Sequence, residues 1–264
     1  MTREYTYGPF QSRRLKLSLG VDLLPKCKKC TYNCVYCEIG ATDKNQLVSP
    51  EYRIKSRPSI NFRKELISIL KYVPHLNSIT FGYNGEPTLN EYILEFLQIA
   101  SKVRDELKWT NGKPLLTLFT NSSTLYSKEI RDRVKQFELV LAKLDVATEE
   151  DFKRTNRPHK DVPSIEQIID SLVLLRKEMP EPHKLALQCL VYNSYRNDFM
   201  PNNNDENINA LARAIKKIRP HIVQIYSVAR IPAEYFVFAI DEETKKHIKE
   251  EFEKMYRDGN INYY

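Results

Sequence analysis

The sequence predicts an α/β fold in which parallel strands form either an open, partial barrel or a doubly wound sheet. Six short apolar runs alternate with longer amphipathic stretches, and this alternation is typical of βαβ units. Several of the runs are apolar at nearly every position, as expected of strands that are covered on both faces. Six such units are too few for the common closed, eight-fold barrel.

The predicted elements follow one another along the whole chain. The six strands are expected at residues 19–24, 78–83, 115–120, 139–146, 184–191 and 222–228. Helical patterns lie between them and open at residue types that cap helix N-termini: Asn61, Asn90, Ser127, Ser164, Asp205 and Asp241. The least regular segments are residues 1–20, 41–58 and 193–204.

The chain length allows one large domain or two small ones, since it has 264 residues of which 42% are hydrophobic. No segment resembles an interdomain linker, so we expect a single domain over residues 1–264. Residues 1–18 are expected to form an N-terminal extension and residues 241–264 a C-terminal helix. The sequence contains no run of about 18 apolar residues and no signal peptide, which predicts a cytoplasmic protein without membrane contact.

The chain is mildly basic. It has 41 Lys+Arg against 34 Asp+Glu, a net charge of +7. This charge permits an anionic partner such as RNA or a phosphorylated metabolite. The charges are spread along the chain without a like-charged block, so an ordinary basic surface is the favoured explanation.

Four of the five cysteines fall within eleven residues, at Cys27, Cys30, Cys34 and Cys37. Because the thiols of a cytosolic protein are kept reduced, metal or redox chemistry explains this cluster better than disulfides do. Three thiolates at the spacing C-x3-C-x2-C can hold three irons of a cubane cluster and leave the fourth iron open. We therefore predict Cys30, Cys34 and Cys37 as the metal ligands.

Structural zinc is the alternative for the same cysteines. Cys27 with Cys30, and Cys34 with Cys37, form two C-x2-C pairs. Common zinc modules separate their pairs by about 12–20 residues, whereas only three residues intervene here. The open iron–sulfur cluster is therefore favoured.

The segment from Cys30 to Cys37, with Tyr36 before the last cysteine, resembles the signature of the radical SAM superfamily. Gly82-Tyr83-Asn84-Gly85-Glu86-Pro87 resembles that family's Gly-Gly-Glu-Pro turn. The resemblance implies a partial (β/α)6 TIM-like barrel, a 4Fe-4S cluster, S-adenosyl-L-methionine (SAM) as cofactor, and a reductant such as flavodoxin or ferredoxin. It also implies reductive cleavage of SAM to a 5′-deoxyadenosyl radical, which takes a hydrogen atom from a substrate.

Candidate cofactor-binding residues lie where the predicted strands end, since parallel α/β sheets present ligands there. The resemblance implies that the turn at Gly85 and Glu86 receives the methionine amino group of SAM. Lys143 suits the methionine carboxylate and Asp145 a ribose hydroxyl, with an exposed ion pair as the alternative. The full set is Tyr36, Asn84, Gly85, Glu86, Asn121, Lys143, Asp145, Arg157, Gln188, Tyr226 and Val228. The ordinary alternatives are a helix cap for Asn121, a charged loop for Arg157 and core packing for Tyr226 and Val228.

The substrate is unknown, and a tRNA base is the leading hypothesis. Tyr-Gly-Pro-x-x-Ser-Arg-Arg at residues 7–14 and Asn-Arg-Pro-His at residues 156–159 resemble the small radical SAM proteins grouped with wyosine-tRNA synthases. Archaeal members carry a second cluster ahead of the motif, but this chain has only Cys27 there. Arg13 or Arg14 is expected to screen the cluster or to hold an anionic substrate.

Three alternatives to a tRNA base are open. Within the enzyme class, the substrate is a peptide or a small molecule. In another class, the protein is a non-catalytic zinc- or iron-dependent nucleic-acid-binding protein in which all four clustered cysteines are ligands.

Cys189 lies far from the cluster in sequence and is expected to be a buried apolar residue.

Overall fold

One large sheet forms the framework of the computed structural model, which describes residues 3–24, 27–257 and 259–264. Its eight strands are β1 (Thr6–Ser12), β2 (Lys16–Val21), β3 (Ser78–Phe81), β4 (Leu115–Thr120), β5 (Leu139–Lys143), β6 (Lys184–Leu190), β8 (Ile222–Tyr226) and β10 (Ile261–Tyr263). They lie side by side in that order, and only β1 and β2 pair antiparallel. The parallel part curls into a half-barrel.

Seven α-helices connect or flank the strands. They are α1 (Ile60–Leu70), α2 (Ile93–Glu106), α3 (Lys128–Val134), α4 (Glu149–Thr155), α5 (Ile165–Glu178), α6 (Asp205–Ile218) and α7 (Glu242–Met255) among the described residues. A short 3-10 helix spans Pro87–Leu89, and β7 (Tyr192–Ser194) pairs with β9 (Val237–Ala239) in a separate two-stranded sheet. Among the described residues, no helix has the length and apolar character that a bilayer crossing needs.

The two faces of the half-barrel differ in character because side chains alternate along each strand. The outer face carries buried apolar residues such as Leu19, Ile79 and Leu118, which belong to the main hydrophobic core with the helices. The inner face begins at the amino-terminal ends of the strands with a small apolar layer that includes Leu141 and Ala186. Beyond this layer, polar side chains face the lumen toward the carboxyl ends of the strands.

The predicted partial barrel is confirmed, and all six predicted strands are present as β2, β3, β4, β5, β6 and β8. Ser127, Ser164 and Asp241 are N-caps of their helices as expected. Ser164 forms a full capping box with Gln167, which satisfies two of the free N–H groups at the start of α5. Cys189 is buried in the main core, as predicted.

Several expectations for individual elements are wrong. The first twenty residues are not irregular, since β1 and most of β2 lie there. Residues 241–264 contain β10 as well as α7, and β7 extends into the segment 193–204 expected to be irregular. The short helix α4 was not predicted. These elements have three to seven residues, too few for a clear apolar period.

Three predicted helix starts are displaced. The cap of α1 is Ser59 instead of Asn61, because the Ser59 side chain accepts the Asn61 backbone N–H. Helix α2 starts after Tyr92 instead of after the predicted Asn90. The Asn90 side chain accepts the Tyr92 backbone N–H ahead of the helix. Helix α6 is capped by Asn204, one residue before the predicted Asp205.

Candidate functional site

The cysteine loop lies at the carboxyl edge of the half-barrel and is fastened to the turn after β3. The Lys29 N–H donates to the Asn84 carbonyl at 3.0 Å, and the Glu86 N–H donates to the Lys29 carbonyl at 2.9 Å. Gly85 stands between these two bonds with a φ of +123°, and a Cβ there would lie 1.8 Å from the Lys29 carbonyl oxygen. Only glycine allows the two backbones to approach so closely.

Each of the three predicted ligand sulfurs receives a nitrogen donor from a different part of the chain. Asn121 Nδ2 lies 3.5 Å from Cys30 Sγ, and Asn156 Nδ2 lies 3.4 Å from Cys34 Sγ. Lys28 Nζ lies 3.5 Å from Cys37 Sγ. Donors to the ligand sulfurs are the contacts that tune iron–sulfur clusters.

Cys30 and Cys34 need a nearby cation to become thiolates together. Burial, together with repulsion from a neighbouring cysteine, raises the pKa of Cys30 to about 12 and that of Cys34 to about 11. Metal ligation requires deprotonated sulfur, and the positive charge of the metal offsets this penalty. The donor set therefore fits a cluster of irons.

The cysteines do not enclose a single ion. Among the residues that the structure describes, no three His, Cys, Asp or Glu side chains are arranged to hold one metal ion. A cubane cluster makes a different demand, because each cysteine binds its own iron and the sulfurs stand around the cluster. Cys27 is exposed, whereas Cys30, Cys34 and Cys37 are half-buried.

Glu86 is turned inward and does not face the cysteine loop with its side chain. It is fully buried, and its Oε1 accepts from Thr88 at 2.5 Å and from Thr120 at 2.9 Å. Its Oε2 accepts the Asn121 N–H at 2.6 Å. Burial raises the pKa of Glu86 although these bonds oppose the rise. The carboxyl group thus ties the turn after β3 to the end of β4.

Asn84 and Asn121 are both held in place by neighbouring polar groups. Asn84 Nδ2 donates to Asp22 Oδ2 at 2.5 Å, so this side chain braces the turn. Asn121 Nδ2 also donates to Thr31 Oγ1 at 2.9 Å. Its Oδ1 accepts the Ser123 N–H at 3.0 Å, so a local turn bond accompanies the contact with Cys30.

Lys143 and Asp145 form an ion pair, but a buried one. Lys143 Nζ lies 3.2 Å from Asp145 Oδ1 and donates to the Tyr226 hydroxyl at 2.7 Å. Tyr36 donates its hydroxyl to the other Asp145 oxygen, and the Leu190 N–H donates to Oδ1 at 2.7 Å. Burial lowers the pKa of Lys143, but the Asp145 carboxylate and the Tyr226 hydroxyl outweigh it and leave the pKa raised.

This network fixes the ammonium group of Lys143 in the lumen beneath the cysteine loop. Each carboxylate oxygen of Asp145 already has a partner within the chain: Lys143 lies at Oδ1, and the Tyr36 hydroxyl donates to Oδ2. Lys143 also lies 4.7 Å from the centre of the Tyr36 ring. The ammonium group is thereby held at a fixed position close to the loop.

The remaining predicted residues lie at the same edge in different roles. Gln188 is buried and donates to Gln224 at 2.9 Å, and strand register places it beside Lys143 on the lumen face. Val228 packs with Tyr36 and Tyr226 in a second apolar cluster. Arg157 has a left-handed backbone (φ 45°) and pairs with Glu234.

The prediction that Arg13 or Arg14 screens the cluster is wrong, because neither residue lies beside the cysteine loop. Arg13 and Arg14 lie in the turn between β1 and β2, at the amino-terminal edge of the sheet and opposite the cysteine loop. Arg13 is exposed there. Arg14 reaches inward, and its guanidinium carbon lies 3.9 Å from the centre of the Tyr226 ring.

Sequence reasoning missed Asn156 and Lys28, which contact Cys34 and Cys37. Asn156 is buried, follows α4 directly, and also donates to the Tyr36 hydroxyl at 3.2 Å. The sequence predicts no helix before Asn156, and this residue stands out there only as the first of the segment Asn-Arg-Pro-His. Lys28 is buried two residues before Cys30 and donates to the Gly40 carbonyl at 2.5 Å. A lysine beside a cysteine cluster was the available signal.

A family model described as the radical SAM superfamily matches residues 24–215. A protein named GTPase Obg from Brachyspira hyodysenteriae is 26% identical over 247 residues, which cover 94% of this chain and 33% of that protein. A UPF0026 protein from Methanocaldococcus jannaschii is 28% identical over 236 residues, covering 88% of this chain and 65% of that protein. The chain thus spans between about a third and two thirds of these curated relatives.

Solved structures share the fold. Streptococcus suis SuiB bound to S-adenosylmethionine has a TM-score of 0.57 at 11% identity, and the match covers 90% of this chain and 48% of that one. TYW1 with a lysine–pyruvate adduct bound has a TM-score of 0.59 at 12% identity, covering 90% of this chain and 73% of that one. At such identities the likeness concerns the fold alone.

Proposed function

The chain belongs to the radical SAM superfamily, and on that premise we propose that it cleaves SAM reductively at one 4Fe-4S cluster held by Cys30, Cys34 and Cys37. The observation that carries the proposal is that each of these sulfurs has its own nitrogen donor, from Asn121, Asn156 and Lys28 respectively. Exposed Cys27 is not a ligand in this proposal.

When bound, the cluster and SAM supply the one-electron chemistry that yields a 5′-deoxyadenosyl radical. The backbone of the turn at Gly85 binds the methionine amino group, since its close contact with Lys29 places it beside Cys30. Lys143 binds the methionine carboxylate, because its ammonium group is charged and held next to Tyr36. Asp145 orients Lys143 and Tyr36.

The test uses anaerobically reconstituted protein reduced in the presence of SAM. We expect iron near four per chain and 5′-deoxyadenosine in the product mixture. Cys34→Ala should abolish both, whereas Cys27→Ala should leave both intact. Zinc in place of iron, or equal loss in the two variants, would contradict the proposal and favour the nucleic-acid-binding alternative.

For the substrate, a tRNA base remains the first candidate. The net charge is +7, and Tyr195 and Tyr235 are exposed near the carboxyl edge, where bases could stack on their rings. Tyr235 adjoins Glu234, whose N–H donates to the Val35 carbonyl of the cysteine loop at 3.0 Å. The proposal predicts that tRNA binding weakens at higher salt and in Tyr235→Ala.

A peptide or small molecule is the second candidate, and the arginines at this edge favour it. Arg157 pairs with Glu234, and Arg230 lies 3.2 Å from Glu38. Arginines whose charge is already paired offer less to a phosphate backbone. Unchanged tRNA binding in Tyr235→Ala, or none at physiological salt, would favour this second candidate.

A further inference from the structure

A cavity opens at the amino-terminal edge of the half-barrel, at the end opposite the cysteine loop. Its volume is about 370 Å³, within the range of small-molecule sites. Two cations and four side-chain amides line it: Arg14, Lys16, Asn77, Gln224, Asn260 and Asn262. Among the described residues, no Asp or Glu lines this cavity. The remaining wall is mostly apolar, with Leu15, Leu139 and Ile222.

The charge of Arg14 has no partner in this cavity. Arg14 Nη1 is buried and makes no hydrogen bond with any described residue. The guanidinium group stacks on the Tyr226 ring at 3.9 Å, which accommodates the charge only in part. Burying a cationic donor without an acceptor is costly, so an anion would complete this site.

Two side-chain amides of the cavity, those of Asn77 and Gln224, use their oxygens for hydrogen bonds within the chain. Asn77 Oδ1 accepts the Leu17 N–H at 3.1 Å, and Gln224 Oε1 accepts from Gln188 Nε2 at 2.9 Å. Because each amide oxygen is engaged, its NH2 group is the end left to donate to a ligand. Both side chains line the cavity, so each of them presents a donor to it.

We propose that this cavity binds a small organic carboxylate, with the carboxylate on Arg14 and the amides of Asn77 and Gln224, and with its apolar body against Leu139 and Ile222. The planar guanidinium matches two carboxylate oxygens. A carboxylate carries a single negative charge, which suits the one cation of the wall that has a buried nitrogen without a partner, Arg14, since Lys16 is exposed. A phosphate monoester carries about two negative charges at neutral pH and calls for more donors.

The proposed ligand would lie one side chain away from the candidate active site. Arg14 stacks on the ring of Tyr226, and the hydroxyl of the same tyrosine accepts from Lys143 at 2.7 Å. The site nevertheless requires neither cluster nor SAM, so its failure would leave the proposed reaction untouched.

The test is a titration of the purified full chain, without cluster or SAM, with benzoate, followed by ligand-observed NMR. Benzamide serves as the neutral match and inorganic phosphate as the second anion. We expect benzoate to bind and benzamide not to compete. Arg14→Gln should weaken benzoate binding about tenfold or more, while Arg13→Gln, which makes the same charge change at the exposed neighbour, should leave it unchanged.

A second variant keeps the test decisive if Arg14→Gln does not fold. Asn77→Asp retains an oxygen for the Leu17 N–H but places a negative charge in the cavity, so it should weaken benzoate binding about tenfold as well. Absence of benzoate binding, equal weakening in Arg14→Gln and Arg13→Gln, or tighter binding of phosphate than of benzoate would each overturn the proposal.

Discussion

The α-carbon of Gly85 lies so close to Lys29 that an added methyl group would stand 1.8 Å from the Lys29 carbonyl oxygen. This approach allows two backbone hydrogen bonds between the turn after β3 and the cysteine loop, at 3.0 Å and 2.9 Å. The turn and the loop therefore form one unit, whose geometry depends on a residue without a side chain.

Gly85→Ala should accordingly destabilise the protein and lower its iron content. The positive φ costs about 1–2 kcal/mol and the clash about 1–3 kcal/mol more, so we expect a loss of about 3 kcal/mol in urea unfolding. Gly112→Ala is the matched control, because Gly112 also has a positive φ (+82°) but has open space around its Cβ position. Equal losses in the two variants would show that the close contact contributes nothing.

Asn156→Leu should lower the reduction potential of the reconstituted cluster. The substitution removes the donor at 3.4 Å from Cys34 Sγ, and such donors stabilise the more negative, reduced state. SAM cleavage should fall about tenfold or more. A redox titration followed by electron paramagnetic resonance measures the shift, with the exposed Asn209→Leu as control. A potential unchanged from the parent protein would contradict this role.

The sequence predicts the parallel half-barrel and the cysteine loop because both depend on local patterns. Apolar runs of five to seven residues, such as β5 and β6, are visible without knowledge of their neighbours. The strand β1 contains Gly8 and Pro9, which suggest a turn, and only pairing with β2 makes it a strand.

The side chains of the site depend on contacts that are distant in sequence. Glu86 follows the strand end as predicted, yet Thr120 of β4 and Asn121, the next residue, draw its carboxyl group into the core. Asn156 is 122 residues from Cys34 in sequence, and no local pattern links the two. Such contacts follow from the packing of neighbouring strands and loops, which a single sequence does not display.

His221 should make the stability of the fold pH-dependent. Burial is the first cause that lowers the pKa of His221, and its Nδ1 accepts the Leu185 N–H at 2.9 Å, which only an unprotonated Nδ1 can do. A lowered folded-state pKa means that the unfolded chain binds protons more readily. The contribution is therefore complete above the unfolded pKa of about 6.5 and is lost as the pH falls below it.

Urea unfolding at several pH values between about 5 and 8 tests this prediction. The parent protein should lose stability on acidification, and His221→Gln should show a smaller loss over the same interval. The exposed His75→Gln provides the control and should keep the parent slope. A slope unchanged by His221→Gln would assign the acid sensitivity to other groups.

Lys143→Gln should weaken SAM binding to the reconstituted protein by about tenfold or more, since a charge-assisted hydrogen bond is lost. Lys143→Arg should restore part of the affinity, because it keeps the charge beside Asp145. Equilibrium dialysis with labelled SAM measures the effect. Lys249→Gln is the matched control, since Lys249 also lies over a tyrosine ring, 5.7 Å from the centre of Tyr263.

Because Asp145 and Tyr226 raise the pKa of Lys143 above its ordinary value, its charge should persist across the range of pH in which the protein is folded. The contribution of Lys143 to SAM affinity should therefore not change with pH in that range. Full affinity in Lys143→Gln would remove Lys143 from the SAM site and leave it as the internal counter-ion of Asp145.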